Sequence, residues 1–337
     1  MCEQADHKQI IEHTRELLKS NPEWRGRYSD YATRIIENEA FIKENRKRFR
    51  EWSPLKLYLT TTNAKEAKRT VKFNLRYLGQ IVAEMKCQND RVTLSTNPAK
   101  YKNYEATNKE NFGCEIILNE CSWDGSEARA FRKHFKNRIA IRNKSGNRGN
   151  EESRIESLLL SEFSKQKDKE LPNIKPVKIA GLRFPMPTPI SASDHNDVKY
   201  SKHNGGGIDI LARTGTGGRA TTLCIIEVKD EYDEKEPASA AIKQALKYSV
   251  FIRELLRSDA GADWWKLFGF GGTIPKKLVL FAACAMPYEV DKADESFAEM
   301  EYDIDGDTIQ LHFIYFKEAE NTILQIHSSL SRKSNKE

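Results

Sequence analysis

Asp209 stands between Ile208 and Ile210 in the run GIDIL, and Glu227 and Lys229 close the run TLCIIEVK. In an extended chain side chains alternate between faces, so Asp209 faces away from its two isoleucine neighbours. The same alternation puts Leu223, Ile225, Glu227 and Lys229 on one face of the second run. Glu227 and Lys229 are then about 6 to 7 Å apart along the strand, at roughly 3.3 Å per residue. The glycines of RTGTGGRA between the runs suit a hairpin, and pairing across it brings Asp209 near Glu227. Two carboxylates at close quarters suit Mg²⁺, which takes one or two carboxylates and keeps waters and substrate phosphate oxygens as its other ligands. Such a cation lowers the pKa of a bound water and neutralises charge on a phosphate, while a neighbouring ammonium orients that water or stabilises developing charge. Gln244 and Tyr248 stand four apart in the helical pattern that follows, on one face of that helix.

This order of apolar strand, acid, Gly-rich turn, apolar strand, Glu-Val-Lys and helix resembles the PD-(D/E)XK nuclease superfamily, whose members share the restriction-endonuclease-like fold and hydrolyse phosphodiesters with a divalent metal. The resemblance spans residues 151–316, about half the chain, and Gln244 with Tyr248 is similar to the QxxxY element of lambda-exonuclease-like members. Ile208 occupies the position where the family pattern has proline. The resemblance implies Asp209 and Glu227 as Mg²⁺ ligands, with Mn²⁺ as a substitute, and Lys229 as the residue that positions the attacking water. Gln244 and Tyr248 would orient the lysine or the substrate backbone. Glu152, on the helix preceding the core sheet, is the implied additional ligand, with Glu156 as its competitor. The substrate implied is DNA, in restriction or anti-phage defence, with a homodimer expected for two-strand cutting. Two other readings stay open: a non-catalytic nucleic-acid-binding or assembly subunit that keeps the fold, and a nuclease that cuts RNA.

The elements that must position these residues follow from periodicity. Residues 151–165 read as an amphipathic helix with Ile155, Leu158, Leu159 and Phe163 inward. Residues 177–184 (VKIAGLRF) read as the first core strand. A long Pro/Ser/Asn/His loop, 185–206, leads into Asp209 and carries His195 and His203. After the helix with Gln244, KKLVLFAACAM and TIQLHFIYF read as buried strands, and Trp264, Trp265 and Phe268 as core or as base-stacking residues. The expected fold class is α/β: a C-terminal restriction-endonuclease-like core, a mixed sheet flanked by helices, behind an N-terminal α+β domain.

The N-terminal part, divided from the rest at 148/149 in the polar run NKSGNRGN, reads as helices over 6–19 and 28–50 and then strands. VKFNLRYLGQIVAEMKC alternates well, Val71, Phe73 and Leu75 opposing Lys72, Asn74 and Arg76, with a turn at Leu78-Gly79-Gln80. Residues 97–112 read as a loop, 114–118 (CEIIL) as a short strand and 125–136 as a helix. Residues 1–150 hold 30 Lys and Arg against 19 Asp and Glu, whereas the remainder hold 25 against 30. Arg129, Arg132, Lys133, Lys136, Arg138 and Arg142 form the densest basic stretch and are the candidate nucleic-acid contacts. Six scattered cysteines without a CxxC pair read as reduced thiols, and no apolar run approaches the ~20 residues of a membrane helix. With no basic leader before an apolar core, the expected location is the cytoplasm, without a membrane partner.

Overall fold

The computed structural model describes residues 2–47, 54–60, 70–88, 91–98, 103–137, 148–165, 174–192, 197–202, 205–215, 221–229, 238–287, 295–298, 300–319 and 322–331. Contacts divide the chain into two interleaved compact units. One, the site-bearing unit, comprises Met1–Ser29, Ile155–Val177 and Pro185–Glu337; the other, the basic unit, comprises Asp30–Arg154 and Lys178–Phe184. The boundary expected at 148/149 is therefore replaced by a division that crosses the chain several times.

The chain opens with helices α1 (Cys2–Ser20), α2 (Glu23–Glu37) and α3 (Glu39–Lys47), so the single helix expected over 28–50 is broken at Asn38. There the Asn38 side-chain amide donates to the Arg34 carbonyl at 2.8 Å and shares it with the Asn38 backbone amide. The basic unit continues with β1 (Lys56–Leu59), β2 (Thr70–Tyr77), β3 (Gln80–Gln88), β4 (Arg91–Ser95), α4 (Tyr104–Phe112), β5 (Cys121–Ser122) and α5 (Ser126–Asn137). β2 buries Val71, Phe73 and Leu75 and half-exposes Lys72, Asn74 and Arg76, as the alternation requires. It turns into β3 through Leu78 (φ 48°) and Gly79 (φ 81°), the two positive-φ residues of a tight hairpin.

Two expectations in this unit fail for identifiable reasons. Residues 97–112 contain helix α4, which has almost no apolar periodicity and is defined by its ends. Asn103 accepts from the Glu105 amide at 2.9 Å as the N-cap, and Gly113 closes the helix in the left-handed region. Residues 114–118 form no strand: Leu118 is tied to Thr96 by Thr96 N–H to Leu118 O, 2.8 Å, and by Leu118 N–H to the Thr96 hydroxyl, 3.0 Å.

Helix α6 (Arg148–Lys165) follows, with Ile155, Leu159, Leu160 and Phe163 buried and Leu158 half-buried, a stripe rotated slightly from the expected one. The expected strand over 177–184 is split. β6 (Lys175–Pro176) pairs with the site-bearing sheet, while β7 (Lys178–Ile179) and β8 (Leu182–Arg183) make a hairpin in the basic unit's sheet. The cause is local, because Ala180 (φ 51°) and Gly181 (φ 79°) turn the chain back on itself. The basic unit's sheet then runs β5-β4-β3-β2-β1-β8-β7.

The long loop folds as β9 (Met186–Thr188), β10 (Ile190–Ser191), β11 (Lys199–Tyr200) and β12 (Gly206–Ile208), β10 pairing β11 and β12 pairing β9. The remaining elements are β13 (Ile210–Thr214), β14 (Thr222–Val228), α7 (Ala238–Leu256), α8 (Gly261–Leu267), β15 (Val279–Pro287), β16 (Glu301–Ile304), β17 (Asp307–Ala319) and β18 (Thr322–Ser328). The site-bearing sheet has the order β16-β17-β15-β14-β13-β6, with β18 also on β17. β13 runs antiparallel to both its neighbours, β6 and β14, and β15 and β17 join parallel after the α7 crossover. β14 and β15 are apolar along both faces because both faces are covered, as buried parallel strands require. α7 is apolar nearly all round for the same reason: it lies against β14, β15 and β17 and carries α1 on it. The fold is mixed α/β.

Candidate active site

Asp209 occupies the residue between two strands with different partners. β12 ends at Ile208 on β9, and β13 begins at Ile210 on β14. Ile208 and Ile210 are buried on either side, which fixes the bend and turns the Asp209 carboxylate outward from that apolar pair. The register Ile210↔Ile226 continues to place Asp209 across from Glu227. Oδ2 of Asp209 accepts from the backbone amide of Val228 at 2.9 Å, so the carboxylate lies along the end of β14.

Glu227 is the last but one residue of β14 and is 1% exposed. Lys229 lies one residue past the strand, 6% exposed, and its amide donates to Ala285 of β15 at 2.9 Å. Its Nζ donates to Oε1 of Gln244 on α7 at 3.2 Å. Burying an ammonium is costly unless it is paired or hydrogen-bonded, so the position of this lysine is defined by its surroundings. Gln244 in turn bonds the hydroxyl of Tyr248, one turn along α7. Burial pushes the Tyr248 hydroxyl well above its ordinary range; the charges of Glu227 and Asp209 push it further, and hydrogen bonds with Gln244 and Thr188 only partly offset them. The hydroxyl is therefore protonated at neutral pH and within electrostatic reach of both carboxylates. Asp209, Glu227, Lys229, Gln244 and Tyr248 are brought together.

Three further residues contribute to the site. Thr188, fully buried on β9, bonds the Tyr248 hydroxyl and donates to the Ile190 carbonyl at 2.7 Å. Gly206 pairs with Thr188 in register, and a Cβ there would lie 2.5 Å from the Tyr248 hydroxyl oxygen. Its glycine is the space that the hydroxyl occupies. Lys247, 1% exposed, donates through Nζ to the Asp197 carbonyl at 2.8 Å and so ties the loop before Asp209 to α7. The triplet glycine of GGGIDIL was a signal for Gly206; nothing in the sequence separates Lys247 from a solvated helix lysine.

Glu152 is half-buried on the part of α6 that groups with the basic unit, and Glu156, 9% exposed, is on the part that groups with the site-bearing unit. Among the described residues no group of three or more His, Cys, Asp or Glu gathers in metal-binding fashion. The carboxylates drawn together are the pair Asp209 and Glu227, and as hard oxygen donors on adjacent strands they fit Mg²⁺, which completes its shell with water and phosphate oxygens.

On α5, Arg129, Lys133 and Lys136 are exposed, whereas Arg132 is half-buried with its guanidinium 5.6 Å from the Trp123 ring centre. Arg138, Arg142, His195 and His203 lie outside the described residues. Trp264, Trp265 and Phe268 are core: Trp264 donates to the Tyr28 carbonyl at 3.0 Å, and Trp265 stacks on Phe270 at 3.9 Å. They are not base-stacking residues. No helix among the described residues is long and apolar enough to cross a membrane. No family model matches the chain, and neither a curated protein nor a solved structure matches it.

Proposed function

We propose that this protein is a Mg²⁺-dependent nuclease that hydrolyses DNA phosphodiesters, an endonuclease of the PD-(D/E)XK type acting in restriction or anti-phage defence. The observation that carries the reading is the juxtaposition of Asp209 and Glu227 at the ends of adjacent strands, with Lys229 held on Gln244 and Tyr248 beside them. The antiparallel β6-β13-β14 meander followed by α7 and parallel β15 supports it, being the arrangement expected of a restriction-endonuclease-like core.

In this mechanism Asp209 and Glu227 would hold the cation. When bound, the cation supplies charge neutralisation on the scissile phosphate and a more acidic water. The Val228 amide restrains Asp209 and keeps one carboxylate oxygen in a fixed place. The Lys229 ammonium, aligned by Gln244, orients the attacking water and stabilises negative charge as it develops on phosphate oxygens. Tyr248, protonated, is a hydrogen-bond donor at neutral pH and positions Gln244. Glu156, on the part of α6 that groups with the site-bearing unit, is the candidate for an added acidic contribution.

The test is incubation of purified full-length protein with circular and linear duplex DNA, with Mg²⁺ or with EDTA. Discrete products from circles, abolished by EDTA and by Asp209→Asn, are expected. Absence of cutting of both DNA and RNA by the parent protein across divalent metals would overturn the assignment.

A further inference from the structure

The basic unit's sheet brings four cations to one end from segments far apart in the sequence. Arg76 of β2 is paired with Lys56 of β1, Tyr58 of β1 with Arg183 of β8, and Arg183 with Lys178 of β7. Directly paired residues place their side chains on the same face of a sheet. The face is therefore the one on which Lys72, Asn74 and Arg76 alternate away from the core. Tyr58 is its centre. The Arg76 guanidinium lies 4.2 Å from the ring centre and that of Arg183 5.5 Å, and Nη1 of Arg183 donates to the Tyr58 hydroxyl at 2.8 Å.

Tyr58 is 2% exposed, so it does not offer its ring to a base; it is a platform that orients two guanidinium groups. Lys56 and Lys178 flank them and are exposed. The Lys56 ammonium is held below its ordinary range, by partial desolvation first and then by the positive charges of Arg183 and Lys178. Glu84, the carboxylate opposite Asn74 on this face, pairs with Lys72 at 3.6 Å.

We propose that this end of the sheet is a nucleic-acid site, with Lys56, Arg76, Lys178 and Arg183 binding the phosphate backbone of duplex DNA. Paired strands lie about 4.8 Å apart and alternate residues about 6.6 Å apart, so the cluster is wide enough for two or three phosphates, spaced ~3.4 Å along the axis of one strand. Arginines pre-oriented on a ring lose little freedom on forming bidentate bonds to phosphate. The large exposed apolar side chains among the described residues, Ile36, Ile117, Val279 and Leu324, all lie off these four strands. An apolar peptide or a lipid tail would have no hold here. The choice of DNA rests on the nuclease reading; the phosphate chemistry does not.

Binding of a short fluorescent DNA duplex to the full-length protein in EDTA, between about 50 and 200 mM salt, tests it. The double variant Lys56→Gln, Lys178→Gln changes two exposed side chains and should keep the parent's thermal melt. It should bind at least tenfold more weakly, with a log-log salt slope reduced by about one to two. The double variant Lys133→Gln, Lys136→Gln on α5 serves as the comparison. Unchanged affinity and slope in the Lys56, Lys178 variant, loss in the α5 variant alone, or a parent that binds only RNA would each overturn the site. A parent that binds DNA through these lysines yet never cuts would leave the site standing and remove the nuclease assignment.

Discussion

Asp209 carries two demands, a hydrogen bond to Val228 and a charge toward the cation, and substitution separates them. Asp209→Asn keeps an oxygen for the Val228 amide and removes the charge, so the expected result is an unchanged melt with cleavage reduced at least about a hundredfold. Lys229→Met should behave similarly in an end-point cleavage assay, losing the ammonium while keeping most of the buried stem. Gly206→Ala probes the other side. The added methyl meets the hydroxyl of the buried Tyr248 at 2.5 Å, and a cost of about 1–3 kcal/mol in chemical denaturation is expected, together with a loss of activity like that of Tyr248→Phe. If Gly206→Ala cut DNA as the parent does while Tyr248→Phe did not, the hydroxyl's present position would be irrelevant to its role. Asp209, Glu227 and Lys229 were legible because strand alternation and a short hairpin fix where they point. Thr188 and Lys247 were not, since their roles depend on a loop whose two short nested strand pairs have no apolar periodicity.

β17 is an element with two acid-sensitive residues. Burial pushes the Asp307 carboxyl up, but hydrogen bonds from Arg257, the Leu278 amide and Arg253 together hold it below its ordinary range. Because the folded pKa is depressed, its stabilisation is present above the unfolded value and is lost as pH falls through the folded one, below the ordinary carboxyl value of 3.8. His312, further along β17, is pushed down to about 4 by burial, with Nδ1 2.9 Å from the Ser329 hydroxyl. The unfolded chain takes up a proton near 6.5 that the folded chain refuses until about 4, so stability falls as pH drops across that window. Urea melts between these two pH values should show a slope of up to about 1.4 kcal/mol per pH unit that His312→Gln flattens. A slope unchanged in that variant would assign the sensitivity elsewhere. Asp307→Ala should cost about 1–3 kcal/mol at neutral pH, since it removes the buried carboxylate shared by Arg253 and Arg257 and leaves them Glu254, Asp305 and backbone carbonyls. Periodicity made β14, β15 and β17 legible as buried strands. It could not reveal α4, which is written in its caps, nor the split of 177–184, which depends on a positive φ at Ala180, a non-glycine residue.

At the scale of the whole chain, charge asymmetry and the two-part organisation were legible, but the linear boundary was not, because it ignores long-range pairing. A fragment cut at 148/149 takes Lys178–Phe184 from the basic unit and α1 from the site-bearing unit. α1 is tied to that unit through His7 and Tyr302 at 2.7 Å, Arg15 and Glu254 at 3.2 Å, and the Asp6–Lys243 ion pair. Fragment 149–337 should therefore expose the apolar face of α7 and aggregate in size-exclusion chromatography; a monodisperse, cooperatively melting fragment would show that α1 is dispensable.

The β7–β8 hairpin has a consequence for how the protein is made. β1 cannot gain its second neighbour until Arg183 has left the ribosome, and α1 waits for α7, more than two hundred residues behind it. At synthesis rates of roughly 5–20 residues per second the first helix spends on the order of ten seconds or more without its partner. Neither unit can be finished before the other has been started, so a nascent chain of this protein holds back both its charge cluster and its carboxylate pair until more than half of it has been translated.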